Sequence, residues 1–145
     1  MEHIRFSIDI NAPREKVWKI LWDDQFYKDW TSVFAEGSTA VTDWQEGSKV
    51  LFLDGKGSGM VSKIAKRTEN EFMSFLHLGT VQEGKEDLDT ASSQGWSGAT
   101  ENYTLRGNNG NTTLEVDMDI TSGYKDYFTK TWPQALDKIK SIAEK

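Results

Sequence analysis

A chain of 145 residues with 23 acidic and 17 basic side chains, net charge −6, is long enough for one hydrophobic core and has the wrong sign of charge to hold nucleic acid or an anionic membrane surface. It contains no cysteine, and its two histidines, His3 and His77, lie in separate segments, which excludes disulfides, thiolate metal sites, a cysteine nucleophile and a histidine zinc cage. No apolar run is long enough to span a bilayer and the start lacks a basic stretch followed by an apolar one, so a single cytoplasmic domain over residues 1–145 is expected, with no metal, cofactor or stable membrane insertion.

The first predicted element is a strand. In HIRFSIDI, residues 3–10, Ile4, Phe6, Ile8 and Ile10 alternate with Arg5, Ser7 and Asp9, the period of a half-buried strand. Asn11 or Ala12 then caps a helix that Pro13 opens, since a first-turn residue has no intrahelical use for its N–H. Val17, Ile20 and Leu21 share one face of this helix, and Trp18 and Trp22, four apart, widen it, so the helix should be gripped on more than one side.

From Gly37 to Leu105 the pattern is of strands: STAVTD, SKVLFLD, GMVSKIAKR, EFMSFLHLG and GWSGATENYTLR, separated by turn signals such as QEG, DGKG and TEN. GKGSG, residues 55–59, lacks phosphate-loop spacing and leads into a strand, so it is predicted as a hairpin turn. Residues 80–95, TVQEGKEDLDTASSQG, are expected to form a loop, either a plain solvated connection or a lid. TTLEVDMDI completes the sheet, with Leu114, Val116, Met118 and Ile120 inward. The closing segment puts Tyr124, Tyr127, Phe128, Trp132, Ala135, Ile139 and Ile142 on one helical stripe, with Asp126, Lys130, Asp137 and Glu144 opposite. Pro133 predicts a kink, or a break just before it.

This order of elements, carried by IDINAPREKVWKILWD, DWQEGSKVLF, GSGMVSKI and TWPQALDKIK, resembles the helix-grip fold of the START and polyketide-cyclase (SRPBCC) superfamily. Within it, the chain resembles the family named after the activator of a heat-shock chaperone's ATPase. The resemblance spans nearly the whole sequence. It implies an α+β fold: a curved antiparallel sheet of six to seven strands wrapped around a long C-terminal helix, two short helices after the first strand, and a cavity between. It does not imply one activity, because one fold hosts many functions.

Val17 and Trp18 match the family's core positions in the first helix. Trp22, Phe26, Tyr27 and Trp30 fall at the junction that the resemblance places at the cavity mouth, where they either line an entrance or close the end of the core. Further along, Ala99, Glu101, Tyr103 and Leu105 share a strand face, so if Tyr103 and Leu105 point inward, Glu101 does too. A carboxylate there needs a partner. Candidates are His77, which shares a face with Met73 and Phe75, a neighbouring hydroxyl, or Lys49 reaching across the sheet. Against this stand a core histidine satisfied in place and a bulge at Gly95 or Gly98 that turns Glu101 outward.

The leading expectation is non-enzymatic binding of a small hydrophobic or amphipathic ligand. Trp30, Phe34, Met60, Phe75, Trp96, Tyr103, Phe128 and Trp132 would contact it, and His77 or Glu101 would orient a polar group. No catalytic residue is assigned. The alternatives are a chaperone as partner, which the family name suggests, and a cyclase or dehydratase using His77 and Glu101.

Overall fold

Residues 1–90, 95–121 and 123–145 are described by a computed structural model, in which the alternating start of the chain is an edge strand, β1 (Glu2–Ile10). Two short helices follow, α1 (Arg14–Trp22) and α2 (Asp24–Thr31). The strands β2 (Thr39–Val41), β3 (Lys49–Leu53), β4 (Gly59–Thr68), β5 (Phe72–Gln82), β6 (Lys85–Asp87), β7 (Thr100–Asn108) and β8 (Asn111–Ile120) come next, and helix α3 (Lys125–Ala143) ends the chain. The strands form one antiparallel sheet in the order β1-β8-β7-β5-β4-β3-β2, with β6 paired to the end of β5. This is the expected α+β helix-grip architecture. The eighth strand, β6, falls inside the segment expected to be a loop. There β5 runs on to Gln82 and pairs back with β6, Thr80 opposite Asp87. Residues 91–94 of that segment, and with them part of the candidate lid, lie outside the described residues.

Local chemistry sets the corners. Pro13 is itself the cap of α1, extended at φ −71 and ψ 158, and its carbonyl accepts from Lys16 and Val17 N–H. The cap therefore falls on the proline, not on Asn11 or Ala12. Asp23 ends α1, its N–H bonding the Lys19 carbonyl, and begins α2, its carboxylate accepting from Gln25 N–H at 3.2 Å. Trp30 ties the two helices together by donating its indole N–H to the Leu21 carbonyl at 3.3 Å, which satisfies a polar atom inside the core.

The long helix α3 is continuous through Pro133, so the predicted break does not occur. Pro133 is exposed, and so is Thr129, whose carbonyl the proline cannot bond; water can satisfy it at little cost. At the other end Glu144 accepts the backbone N–H of Asn11 at 2.8 Å and the ammonium of Lys140 at 2.6 Å, while Lys140 also reaches the Asp9 carbonyl. These contacts fix the helix C-terminus to the corner between β1 and α1.

The core lies between the concave face of the sheet and the helices. Leu114, Val116, Met118 and Ile120 from β8 meet Ala135 and Ile139 from α3 and Val17 and Leu21 from α1, all buried. The outer face carries a polar ladder: Ser74 donates to Asn102, Asn102 donates to Asp117, and Asp117 faces His3 at 3.1 Å. Among the described residues no helix is long and apolar enough to cross a membrane.

Candidate functional site

A cavity of about 610 Å³ opens between the sheet, α2 and the N-terminal half of α3, within the roughly 300–1,000 Å³ typical of small-molecule sites. Tyr27, Trp30 and Phe34 enclose it on the α2 side, Phe52 and Met60 come from β3 and β4, Met118 and Ile120 from β8, and Phe128 and Trp132 from α3. Trp96, Tyr124 and Tyr127 stand at the mouth, where Tyr124 and Tyr127 are among the exposed large hydrophobic side chains.

One wall is polar. Phe75 pairs with Glu101 across β5 and β7, which makes His77 a diagonal neighbour of Glu101, within reach of long side chains. His77 Nε2 lies 3.3 Å from Glu101 Oε1, and the hydroxyl of Tyr103 donates to Glu101 Oε2. Behind the ring, Ser62 Oγ sits 2.5 Å from His77 Nδ1. An ionised carboxylate only accepts, so in the neutral imidazole Nε2–H donates to Glu101 and Nδ1 accepts from Ser62. The result is a chain, Ser62–His77–Glu101–Tyr103, in which every member is held by another.

Burial, and after it the nearby Glu101 charge, push the Tyr27 and Tyr103 phenols far above their ordinary range, so both remain protonated donors. At the rim, Asp54 accepts the N–H groups of Ser58 and Lys56, which hold its carboxyl below the usual range. The turn carrying Asp54 also docks on the β5–β6 turn, with Gly84 N–H on the Gly57 carbonyl at 2.9 Å and Glu83 N–H on Ser58 Oγ at 3.2 Å.

Of the side chains expected at the ligand site, Trp30, Phe34, Met60, His77, Trp96, Glu101, Tyr103, Phe128 and Trp132 line this cavity and Phe75 does not. Phe75 is fully buried because Trp22 from α1, Trp44 and Phe52 cover its part of the sheet, with ring centroids 5.1–6.3 Å away. Trp22 and Phe26 likewise stay off the cavity: Trp22 packs in the core against Trp18, Trp44 and Tyr103, and only Tyr27 and Trp30 of that junction reach the wall. Lys49 is not the partner of Glu101. It points away, to Glu86 at 2.8 Å. Ser62 escaped sequence reasoning altogether, because a bulge between Val61 and Ser62 buries both neighbours and breaks the alternation of β4.

A sequence profile of the family described as Activator of Hsp90 ATPase homolog 1-like protein matches residues 11–144. No curated protein matches the chain significantly. Among solved structures, it is similar to the Aha1 dimer from Colwellia psychrerythraea, at 20% identity and TM-score 0.75 over 99% of this chain and 97% of the other. It is similar also to CalU16 from Micromonospora echinospora, at 18% and 0.66 over 97% and 73%. A third likeness is to DynU16, from the dynemicin biosynthetic locus, at 15% and 0.69 over 97% and 46%. At such identities the likenesses establish the fold alone.

Proposed function

We propose that this chain, which belongs to the Activator of Hsp90 ATPase homolog 1-like family, binds a small apolar or amphipathic molecule in the cavity between its sheet and α3 and does not transform it. The observation that carries this reading is the cavity itself: about 610 Å³ lined mostly by aromatic and aliphatic side chains, with the hydrogen-bonded His77–Glu101–Tyr103 cluster on its wall. An apolar body gains by leaving water against such walls, and the His77–Glu101–Tyr103 group gives it an orientation. Ser62 argues against hydrolytic chemistry. It is fully buried behind the histidine ring and absent from the cavity wall, so it orients the ring and cannot attack a bound molecule.

Trp30, Trp96 and Trp132 face the cavity, so tryptophan emission reports occupancy. A panel of long-chain alcohols, amines and flat aromatic compounds should shift that emission and raise Tm, since a ligand that binds only the folded state stabilises it by mass action. A broad panel with neither effect refutes the reading. Native mass spectrometry of protein purified from its own host would then identify the natural occupant. The family's name supports a second reading, a chaperone ATPase as partner; absence of both co-purification with the chaperone and stimulation of its ATPase would dismiss it.

A further inference from the structure

The chemical class of the occupant follows from the charges around the cavity, and this step rests on the binding reading above. No lysine or arginine is among the described residues that line it, whereas Asp54, Glu101 and Asp119 are. Lys56, in the same turn as Asp54, is exposed and off the wall. Asp119 is already engaged, its carboxylate accepting from Thr100 N–H and meeting the His3 ring. Glu101 is different. Its side chain is 20% exposed, on the cavity wall, and among the described residues it accepts from two donors, Tyr103 and His77, leaving lone pairs for a guest on a group that has about four. A protonated His77 would be matched by Glu101 and leave no surplus cation for an anionic guest. The path in from solvent runs past aromatic faces: Tyr124, Tyr127 and Phe128 pack together at 5.2–6.3 Å, and Trp96 leans on Tyr124 at 5.4 Å.

We propose that the cavity selects amphipathic organic cations, an amine or ammonium head on an apolar body, and rejects the corresponding carboxylates. The head would take the free lone pairs of Glu101 and the π-faces at the mouth, both of which attract positive charge. The tail would lie between the sheet and α3. A carboxylate head in the same place meets Glu101 without any counter-cation, and a buried like-charge contact is strongly unfavourable.

The test uses probes of one tail length, decylamine, decanol and decanoate, each below its micellar concentration, with the intact protein at neutral pH. Titration followed by tryptophan emission and by Tm should show decylamine, there the ammonium ion, binding at least about tenfold more tightly than decanoate, with decanol between them. Glu101→Gln should reduce that preference to about threefold or less while decanol binding changes little. Should Glu101→Gln not fold, the ranking on the unmodified protein still decides. Decanoate binding as tightly as decylamine, or more tightly, overturns the cation selectivity and leaves the binding reading standing. No response to any of the three overturns both.

Discussion

Replacing Trp132 with alanine tests how α3 is held. Its ring is 3% exposed and packs against Phe6, Trp30, Phe34 and Tyr103, with centroid distances from 4.9 to 6.3 Å. A buried tryptophan removes roughly 200 Å² from water, which at about 25 cal/mol per Å² corresponds to about 5 kcal/mol. This is an upper bound, since the unfolded chain already hides part of that surface. Two corrections lower it further. Alanine keeps the Cβ, and the indole N–H of Trp132 has no acceptor among the described residues, so its removal relieves about 1 kcal/mol. The net loss should be about 3–4 kcal/mol, within the range for large aromatic truncations in cores. Urea unfolding followed by circular dichroism measures it, with Trp96→Ala as the internal control: Trp96 is half-buried and should lose only about 1 kcal/mol. A Trp132→Ala loss no larger than that of Trp96→Ala would refute the packing assigned to α3.

Three further outcomes follow. Tyr103→Phe removes the hydroxyl that donates to Glu101 and should destabilise by about 1–2 kcal/mol; an unchanged Tm would mean that the carboxylate does not depend on that donor. Burial works against Asp119, yet the His3 ring and the N–H and hydroxyl of Thr100 outweigh it and hold the carboxyl below its ordinary range. Its stabilising contribution is therefore complete above the unfolded carboxyl value of about 3.9 and disappears as pH falls through the lower folded one. Urea midpoints of the parent and Asp119→Asn should differ near neutral pH and converge in acid; a gap independent of pH contradicts this. Gly59→Ala should abolish or severely impair folding, because a Cβ there would lie 1.8 Å from the Phe52 carbonyl oxygen, and a normal circular dichroism melt would show the β3–β4 pairing to be misplaced.

How much of this was legible in the sequence depends on what each feature rests on. β1 and β8 are alternating strands over their whole length, and their registers pair Ile4 with Met118 and Phe6 with Val116, so periodicity alone put the right faces inward. The same argument turned Glu101 and His77 toward each other, because the diagonal pairing of β5 and β7 preserves alternation on both strands. It failed wherever backbone irregularity intervened. The bulges of β4, one at Val61/Ser62 and one at Ile64/Lys66, leave no mark in composition, and they decide that Ser62 sits behind the histidine. Periodicity also tells which face of a strand is inward but not which stretch of that face another element covers. Phe75 was expected in the cavity for that reason, and it is shut away by Trp22 and by Trp44, a loop residue with a left-handed φ of 61 that no local pattern announces.

The two ends of α3 are held very differently, and Pro133 lies between them. The C-terminal half is latched through Glu144 and Lys140 to the start of α1 and to β1. The N-terminal half has no side-chain cap among the described residues, carries the exposed Tyr124 and Tyr127 at the cavity mouth, and lacks the one backbone bond that a residue other than Pro133 would have donated to Thr129. The helix is thus a cantilever with a light tether: latched at its C-terminus, missing one bond about midway, and held over the opening by aromatic packing and by the Tyr127 hydroxyl on the Phe34 carbonyl at 2.8 Å. Lifting the turns before Trp132 would break only that tether, while Trp132 and the latched half keep the core closed. Amide exchange in residues 125–131 should accordingly run through openings of lower free energy than in residues 136–143, and an occupied cavity should slow the former and leave the latter unchanged.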